Sequence, residues 1–303
     1  MRALASRVVF PLMLVVAFGG ALWGLESGVP AARILLTASI GSIIAVVILE
    51  RVLPYRADWN RSSGDLVTDS AYLPTTVAVN GLIEPGVTVV GALIGGWLSR
   101  TLGSDLWPST WPLVAQLVLA CVVAELFDYW AHRVMHESEL LWRLHATHHS
   151  APRLYWLNAT RSHPGEMLLR GTVGILPLAI LGAGDSVIVL IALVNIVVGL
   201  FQHANIDFKL GPLSWIFSVG ELHRWHHSQV IDEANRNYGN NFILWDAVFG
   251  TRFLPGDRAA PEALGIGGLD AFPRGYLAQL VAPIRWNEIT RASEAALALR
   301  ERT

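Results

Sequence analysis

The feature that most constrains this chain is a series of long apolar runs almost free of charge. Inside a bilayer the backbone N–H and C=O groups have no water to bond, so a run of about 20 apolar residues is stable there as a helix. Residues 8–23, 34–49 and 111–129 are runs of this kind. Residues 71–98 form a further one, interrupted by Asn80, Glu84, Pro85 and Gly86, and residues 171–201 another, broken at Gly182-Ala183-Gly184-Asp185. Only 15% of the 303 residues are charged, where a soluble domain carries about 25%. Twelve tryptophans suit a protein with two water–lipid interfaces to anchor. The expected class is an all-α integral membrane protein.

The first run follows Arg2 and Arg7 and has Ala31-Ala32 beyond it, the layout of a signal peptide, but it exceeds a typical signal core and reads as a span. Residues 71–98 read as one tilted crossing. A hairpin at Glu84-Pro85-Gly86 would instead invert everything downstream. Val173 to Leu181 is too short to span, so residues 171–201 read as a re-entrant hairpin that returns His203 to the side where the run 111–129 ends. Arg2, Arg7, Arg51, Arg56 and Arg61 lie on one side and only Arg33 and Arg100 on the other, which puts the amino terminus in the cytoplasm. The architecture expected is about four transmembrane helices plus the re-entrant hairpin, under a cytoplasmic helical cap. The organisation expected is N-terminal transmembrane helices over 1–110, a histidine-bearing region over 111–255, and C-terminal surface or interfacial helices over 256–303.

A net charge of −2 excludes nucleic-acid binding by bulk charge. The single cysteine, Cys121, lies in an apolar run and excludes a disulfide framework, a thiolate zinc site and a cysteine-bound iron–sulfur cluster. Histidine is the informative residue. The first 131 positions contain none, and all ten lie between His132 and His227. His132 and His136 form H-x-x-x-H; His145, His148 and His149 form H-x-x-H-H; His223, His226 and His227 repeat H-x-x-H-H. On a helix, positions i, i+3 and i+4 share a face, which lets imidazoles converge on a metal ion as they do in zinc proteases. Taken alone, His163 reads equally well as a structural residue. Two triplets and a pair on one membrane face do not.

Eight histidines exceed the four to six ligands of one ion and divide naturally between two. Imidazole accepts zinc, copper, iron and nickel. The H-E-x-x-H zinc motif is absent, as is the Glu-x-x-His pattern of soluble carboxylate-bridged di-iron proteins. Asp128 shares a helical face with His132 and His136 and is placed to orient an imidazole. Glu125 and Asp246 are similar candidates with less support.

The order of these motifs resembles the fatty acid hydroxylase and sterol desaturase superfamily of membrane di-iron oxygenases. The flanks agree: Trp142-Arg143-Leu144-His145-Ala146-Thr147-His148-His149-Ser150, Arg161-Ser162-His163-Pro164, Phe201-Gln202-His203-Ala204-Asn205, Asn237-Tyr238-Gly239-Asn240-Asn241 and Trp245-Asp246-Ala247-Val248-Phe249-Gly250-Thr251. The resemblance covers about residues 111–253 and makes 111–255 a catalytic domain of the fatty acid hydroxylase type. It implies two iron ions on the cytoplasmic side, held by His132, His136, His145, His148, His149, His223, His226 and His227, with His203 at a further ligand position. Some members carry another histidine four residues after that one; this chain has Asp207, so Asn205, Asp207 or water would complete the coordination. His163, Glu137 and Asn237 fall in or beside family elements without an assigned role. Zinc can occupy such sites in purified protein.

The activity implied is O2-dependent hydroxylation, or desaturation, of an unactivated C–H bond in a lipid such as a fatty acyl chain or sterol. The chain has no dinucleotide fingerprint and no haem attachment motif, so electrons are expected from a separate ferredoxin or cytochrome with its reductase. Arg133, Arg143, Arg153, Arg161 and Arg224 surround the motifs; the positive-inside bias or headgroup contact accounts for them more readily than a docking face for that donor, which they could also form. Glu137 and the short interval from His136 to His145 also resemble the alkylglycerol (ether lipid) monooxygenase branch. From other classes, a membrane di-zinc hydrolase would need a carboxylate base, and a metal transporter would need ionisable groups along the spans.

Overall fold

In the computed structural model, which describes residues 1–261 and 263–300, every apolar run of the sequence is helical. The helices are α1 (Arg2–Glu26), α2 (Ala31–Val52), α3 (Leu66–Leu102), α4 (Leu113–Glu137), α5 (Glu139–His149), α6 (Pro164–Leu181) and α7 (Asp185–His203). Shorter ones follow: α8 (Gly220–His226), α9 (Ile231–Ala234), α10 (Leu244–Phe249) and α11 (Tyr276–Val281), then the longer α12 (Trp286–Arg300). Among the described residues there is no strand, only isolated bridges such as Pro54 with Ile206 and Phe217 with Phe242.

Six helices, α1 to α4, α6 and α7, are long and apolar enough to cross a membrane. Their outward faces carry exposed Val15, Leu36, Ile44, Val77 and Leu93, an apolar surface that a bilayer covers and water would not. The protein is a multi-pass membrane protein. One sequence expectation changes. The segment before Gly182 is not a short dip: α6 begins at Pro164, capped by His163, whose Nδ1 accepts the Gly165 N–H at 3.0 Å. Its polar first turns are helical because Glu166 and Arg170 have buried partners. α6 and α7 have 18 and 19 residues, about 27 and 28 Å, comparable with the hydrocarbon thickness. Coming as a pair, they still return His203 to the side where α4 ends.

α3 is one unbroken helix of 37 residues through Pro74 and Pro85, so no hairpin forms at Glu84-Pro85-Gly86. Each proline removes a backbone donor. Nearby threonine hydroxyls bond carbonyls of the same helix, Thr75 to Ala71 at 2.9 Å and Thr88 to Glu84 at 2.8 Å. α3 lies along α6, and α4 packs on both α6 and α7. Close approach of α3 and α6 depends on Gly91 and Gly95, where a methyl group would run into the Ala179 side chain and the Ile180 carbonyl. α7 is the most enclosed span. Phe10 of α1 is fully buried, with ring centroids 5.4, 6.3 and 5.0 Å from Phe201, Phe208 and Phe217.

The cap at the ends of α4 and α7 is built from α5, α8 and the segments 151–163 and 228–253. Buried ion pairs fasten it to the start of α3: Arg153 to Asp65 at 2.7 Å and Arg161 to Asp69 at 2.5 Å. The C-terminal segment folds back onto the same region. Thr68 bonds the Arg274 carbonyl at 2.8 Å, Tyr276 meets Thr75 at 2.7 Å, and the Gly265 N–H bonds the His227 carbonyl at 3.1 Å.

Candidate metal centre

Four helix ends bring nine histidines together. His132 and His136 project from the last turns of α4, His145, His148 and His149 from α5, His203 from the end of α7, and His223, His226 and His227 from α8 and its cap. They sort into two groups. His132, His136, His145, His149 and His226 form one and His148, His203, His223 and His227 the other, with the ligand atoms of each group within 4.8 Å of one another. The i, i+3, i+4 spacing is what divides them. In each triplet the ring at one end of the turn serves one group and its neighbour the other, so His148 and His149 part, as do His226 and His227. All are buried except His136, which is partly so.

The hydrogen bonds define the state of the rings. His132 Nδ1 lies 2.6 Å from the Tyr238 carbonyl, His145 Nδ1 2.8 Å from Glu166 Oε1, and His226 Nδ1 2.8 Å from the Arg236 carbonyl. His148 Nδ1 faces the Arg161 carbonyl at 3.0 Å, His203 Nδ1 the Asn158 amide oxygen at 2.9 Å, and His136 Nδ1 the Asn235 amide oxygen at 3.0 Å. Carbonyl oxygens only accept, so an Nδ1 that faces one carries the proton and leaves its Nε2 a bare lone pair; the same holds for His145 when Glu166 is ionised. Yet His132 Nε2 and His145 Nε2 stand 3.0 Å apart. With Glu166 ionised both are lone pairs, which repel at that distance unless a cation lies between them. Burial, with the neighbouring imidazoles, pushes His145, His149, His223, His226 and His227 well below the usual histidine range, and His148 down to about 3. Neutral imidazole is the ligand form.

Within the groups the Nε2 atoms are 3.0–3.2 Å apart, as in His149 to His226 and His227 to His148. Around an ion about 2.1 Å away such nitrogens subtend about 90–100°, the angle between adjacent ligands of a five- or six-coordinate ion; tetrahedral ligands would sit about 3.4 Å apart. The donor set fits metal.

The other sequence candidates lie outside both groups. Asp128 does not touch an imidazole; it takes both arms of Arg170 at 2.9 and 2.6 Å. Glu137 pairs with Arg133 at 2.7 Å on the surface. Asn205 holds the Arg56 backbone through Oδ1 and Nδ2 at 2.9 and 2.8 Å, and Asp207 lies 3.5 Å from Lys209. His163 caps α6, its Nε2 3.1 Å from the Leu280 carbonyl. Asn237 adopts φ 54° and its amide bonds the Leu222 and Phe253 carbonyls. Asp246 accepts the Tyr238 and Gly239 N–H groups at 2.8 and 2.7 Å, and Glu125 those of Asn240 and Asn241 at 3.1 and 2.9 Å. These two carboxylates hold the loop whose carbonyl orients His132.

Sequence reasoning missed Glu166, Asn158 and Asn235, the side chains that do meet imidazoles. A signal for Glu166 existed: a carboxylate three residues after His163 at the head of an apolar run is expensive there unless partnered. The arginine docking face is not present. Arg153, Arg161 and Arg224 are buried, the last stacked 3.8 Å over Tyr55, and Arg133 and Arg143 are paired with Glu137 and Glu139.

Fold and site together define a multi-pass membrane protein with two buried histidine groups able to hold metal ions. Residues 117–251 match the fatty acid hydroxylase family profile. The ornithine lipid hydroxylase OlsE of Rhizobium tropici is 34% identical over 291 residues, covering 93% of this chain and 84% of that protein. The alkylglycerol monooxygenase of Homo sapiens is 28% identical over 155 residues, 51% of this chain and 34% of that protein. The methylsterol monooxygenase 1 of Rattus norvegicus is 32% identical over 149 residues, 46% of this chain and 48% of that protein. No solved structure matches the chain. The chain belongs to the fatty acid hydroxylase family.

Proposed function

We propose that this protein is a membrane oxygenase that hydroxylates an unactivated C–H bond of a lipid, with one iron ion in each histidine group and the site on the cytoplasmic side. The observation that carries the reading is the convergence of nine imidazoles into two groups, the ligand atoms of each within 4.8 Å of one another and no carboxylate among them. The ligands would be His132, His136, His145, His149 and His226 for one ion, and His148, His203, His223 and His227 for the other. Bound iron would supply O2 activation, chemistry that no side chain of this protein performs. In the balance R–H + O2 + two electrons + two protons → R–OH + water, the electrons come from a separate ferredoxin or cytochrome with its reductase.

The chain's own residues orient the imidazoles and keep water from them. They also offer a lipid a place. An apolar cavity of about 450 Å³ lies among α1, α4 and α7, lined by residues that include Leu14, Phe18, Leu117, Cys121 and Val198. Glu125 and Phe242 line it too, and both belong to the network that ends at His132. A relative aligned over nearly the whole chain is an ornithine lipid hydroxylase, which favours an acyl-chain lipid over a sterol. Glu137, which pointed to an ether lipid, is a surface residue paired with Arg133. The hydrolase reading lacks its carboxylate: both groups consist of histidine alone.

The test is expression in iron-replete bacteria, wild type beside His149→Ala, with lipid extracts analysed by mass spectrometry under isotopically labelled O2. Lipids that gain one labelled oxygen atom only with the wild type support the reading. Wild-type protein that binds iron yet leaves every lipid unlabelled, with a competent reductase present, overturns it.

A further inference from the structure

The two histidine groups differ in what stands behind them. In the five-histidine group, four rings have Nδ1 held: His132 by the Tyr238 carbonyl, His136 by Asn235, His145 by Glu166 and His226 by the Arg236 carbonyl. In the four-histidine group, only His148 and His203 are held, by the Arg161 carbonyl and Asn158. The buried Nδ1 atoms of His223 and His227 have no partner. Of all these acceptors Glu166 alone is an acid.

Glu166 is 1% exposed and its Oε1 lies 2.8 Å from His145 Nδ1. Its Oε2 is buried without a partner, so no other donor draws on that oxygen. Arg170, one turn on, approaches Oε1 at 3.7 Å but spends its bidentate contact on Asp128. His145 in turn sits centrally in its group, with Nε2 3.0 Å from His132 and 3.1 Å from His149. A hydrogen bond to an ionised acceptor is roughly twice as strong as one to a neutral acceptor, and a carboxylate behind a ligating imidazole fixes its tautomer and raises its donor strength.

We propose that Glu166 is a positioning residue that makes the five-histidine site the tighter of the two metal sites and the first to fill. The inference rests on the reading of both groups as metal sites. Two independent features drive it: the only carboxyl group behind a ligating ring lies on that side, 2.8 Å from His145 Nδ1, and fewer rings there must be immobilised when metal arrives. The four-histidine site, with two rings free to choose a tautomer, fills second.

Trp142 gives a local readout, because its ring centroid is 5.1 Å from His136 and 5.3 Å from His149, both of the five-histidine group. The full-length protein, stripped of metal by chelation in detergent, is titrated with Co2+ while tryptophan fluorescence is followed. The part of the signal lost in Trp142→Phe reports the five-histidine site. In the wild type that part is quenched by the first equivalent. Glu166→Gln weakens this first step by about 10–100-fold and leaves the second alone. Asn158→Ala does the reverse. Glu166→Asp keeps a carboxyl group beside Arg170 but withdraws the oxygen from Nδ1, so it also weakens the first step, which a purely structural carboxyl would not require; it decides the matter if the glutamine variant does not fold. Glutamate variants that leave the first step unchanged, or weaken both steps equally, overturn the proposal. A wild type that binds no Co2+ would overturn the metal-site reading itself.

Discussion

The carbonyl of Tyr238 lies 2.6 Å from Nδ1 of His132 and so joins the loop after α9 to the last turns of α4. Asp246 holds that loop from behind through the Tyr238 and Gly239 N–H groups at 2.8 and 2.7 Å. In Asp246→Ala these donors lose their acceptor and the carbonyl is no longer fixed. Metal affinity of the five-histidine site is expected to fall about 10–100-fold with the helices intact. Metal analysis after dialysis against a graded chelator, beside circular dichroism, checks this.

His149 bridges its group, with Nε2 3.1 Å from both His145 and His226. His149→Ala should lose iron from that group and abolish lipid hydroxylation. Iron determination with Mössbauer spectroscopy of the purified variant provides the measurement. Full iron content would count against His149 as a ligand.

Arg153 is a stability residue rather than part of a docking face. It donates to both oxygens of Asp65 at 2.7 and 2.9 Å and to the Trp59 carbonyl, and both charged side chains are buried. Arg153→Met leaves Asp65 uncompensated, and loss of one partner of a buried pair costs about 3–5 kcal/mol. Thermal unfolding in detergent should shift down accordingly. An exposed arginine serving a redox partner would leave the melting temperature where it was.

The contact of α3 with α6 is tested by Gly95→Leu. The Ile180 carbonyl occupies the space that a Cβ at Gly95 would need, and backbone cannot retreat as a side chain tip can. The helices must separate, which strains the α6 turns that bring Glu166 to His145. Reduced thermal stability and reduced metal retention are expected together, while Gly96→Ala, which meets only the end of Arg100, should change neither.

Acid should destabilise the metal-free protein. Burial holds His148 down to about 3, so it remains neutral in the folded chain, whereas an unfolded histidine takes a proton near pH 6.5. The unfolded state then binds more protons, and stability falls as pH drops from about 6.5 toward about 3 by up to about 1.4 kcal/mol per pH unit for each such ring. His145, His149, His223, His226 and His227 shift the same way. Unfolding measured across that window, with and without Co2+, checks the sign: metal should flatten the dependence.

Much of this molecule is legible in one dimension because the properties concerned are local. Apolar runs near bilayer length specify spanning helices whatever their neighbours do, and the H-x-x-H-H spacing puts rings on one helix face by the pitch of the helix alone. The division of the nine histidines into five and four is different. His148 and His149 are adjacent in sequence yet serve different groups, because α5 and α8 each supply rings to both groups, while α4 supplies only the first and α7 only the second. Asp128 had the right spacing from His132 but the wrong partner: Arg170, 42 positions away, reaches it first. Glu166 lies ahead of the apolar run, and only contacts with residues far away in the chain, His145 for it and Asp128 for Arg170, show why it is helical and buried. Residue types and their periodicity determined that this chain crosses a membrane and gathers imidazoles. Which imidazoles face each other, and which carboxylate stands behind them, was decided only when helices far apart in sequence packed, since hydrogen bonds in a dry interior go to the partner within reach and not to the neighbour in the chain.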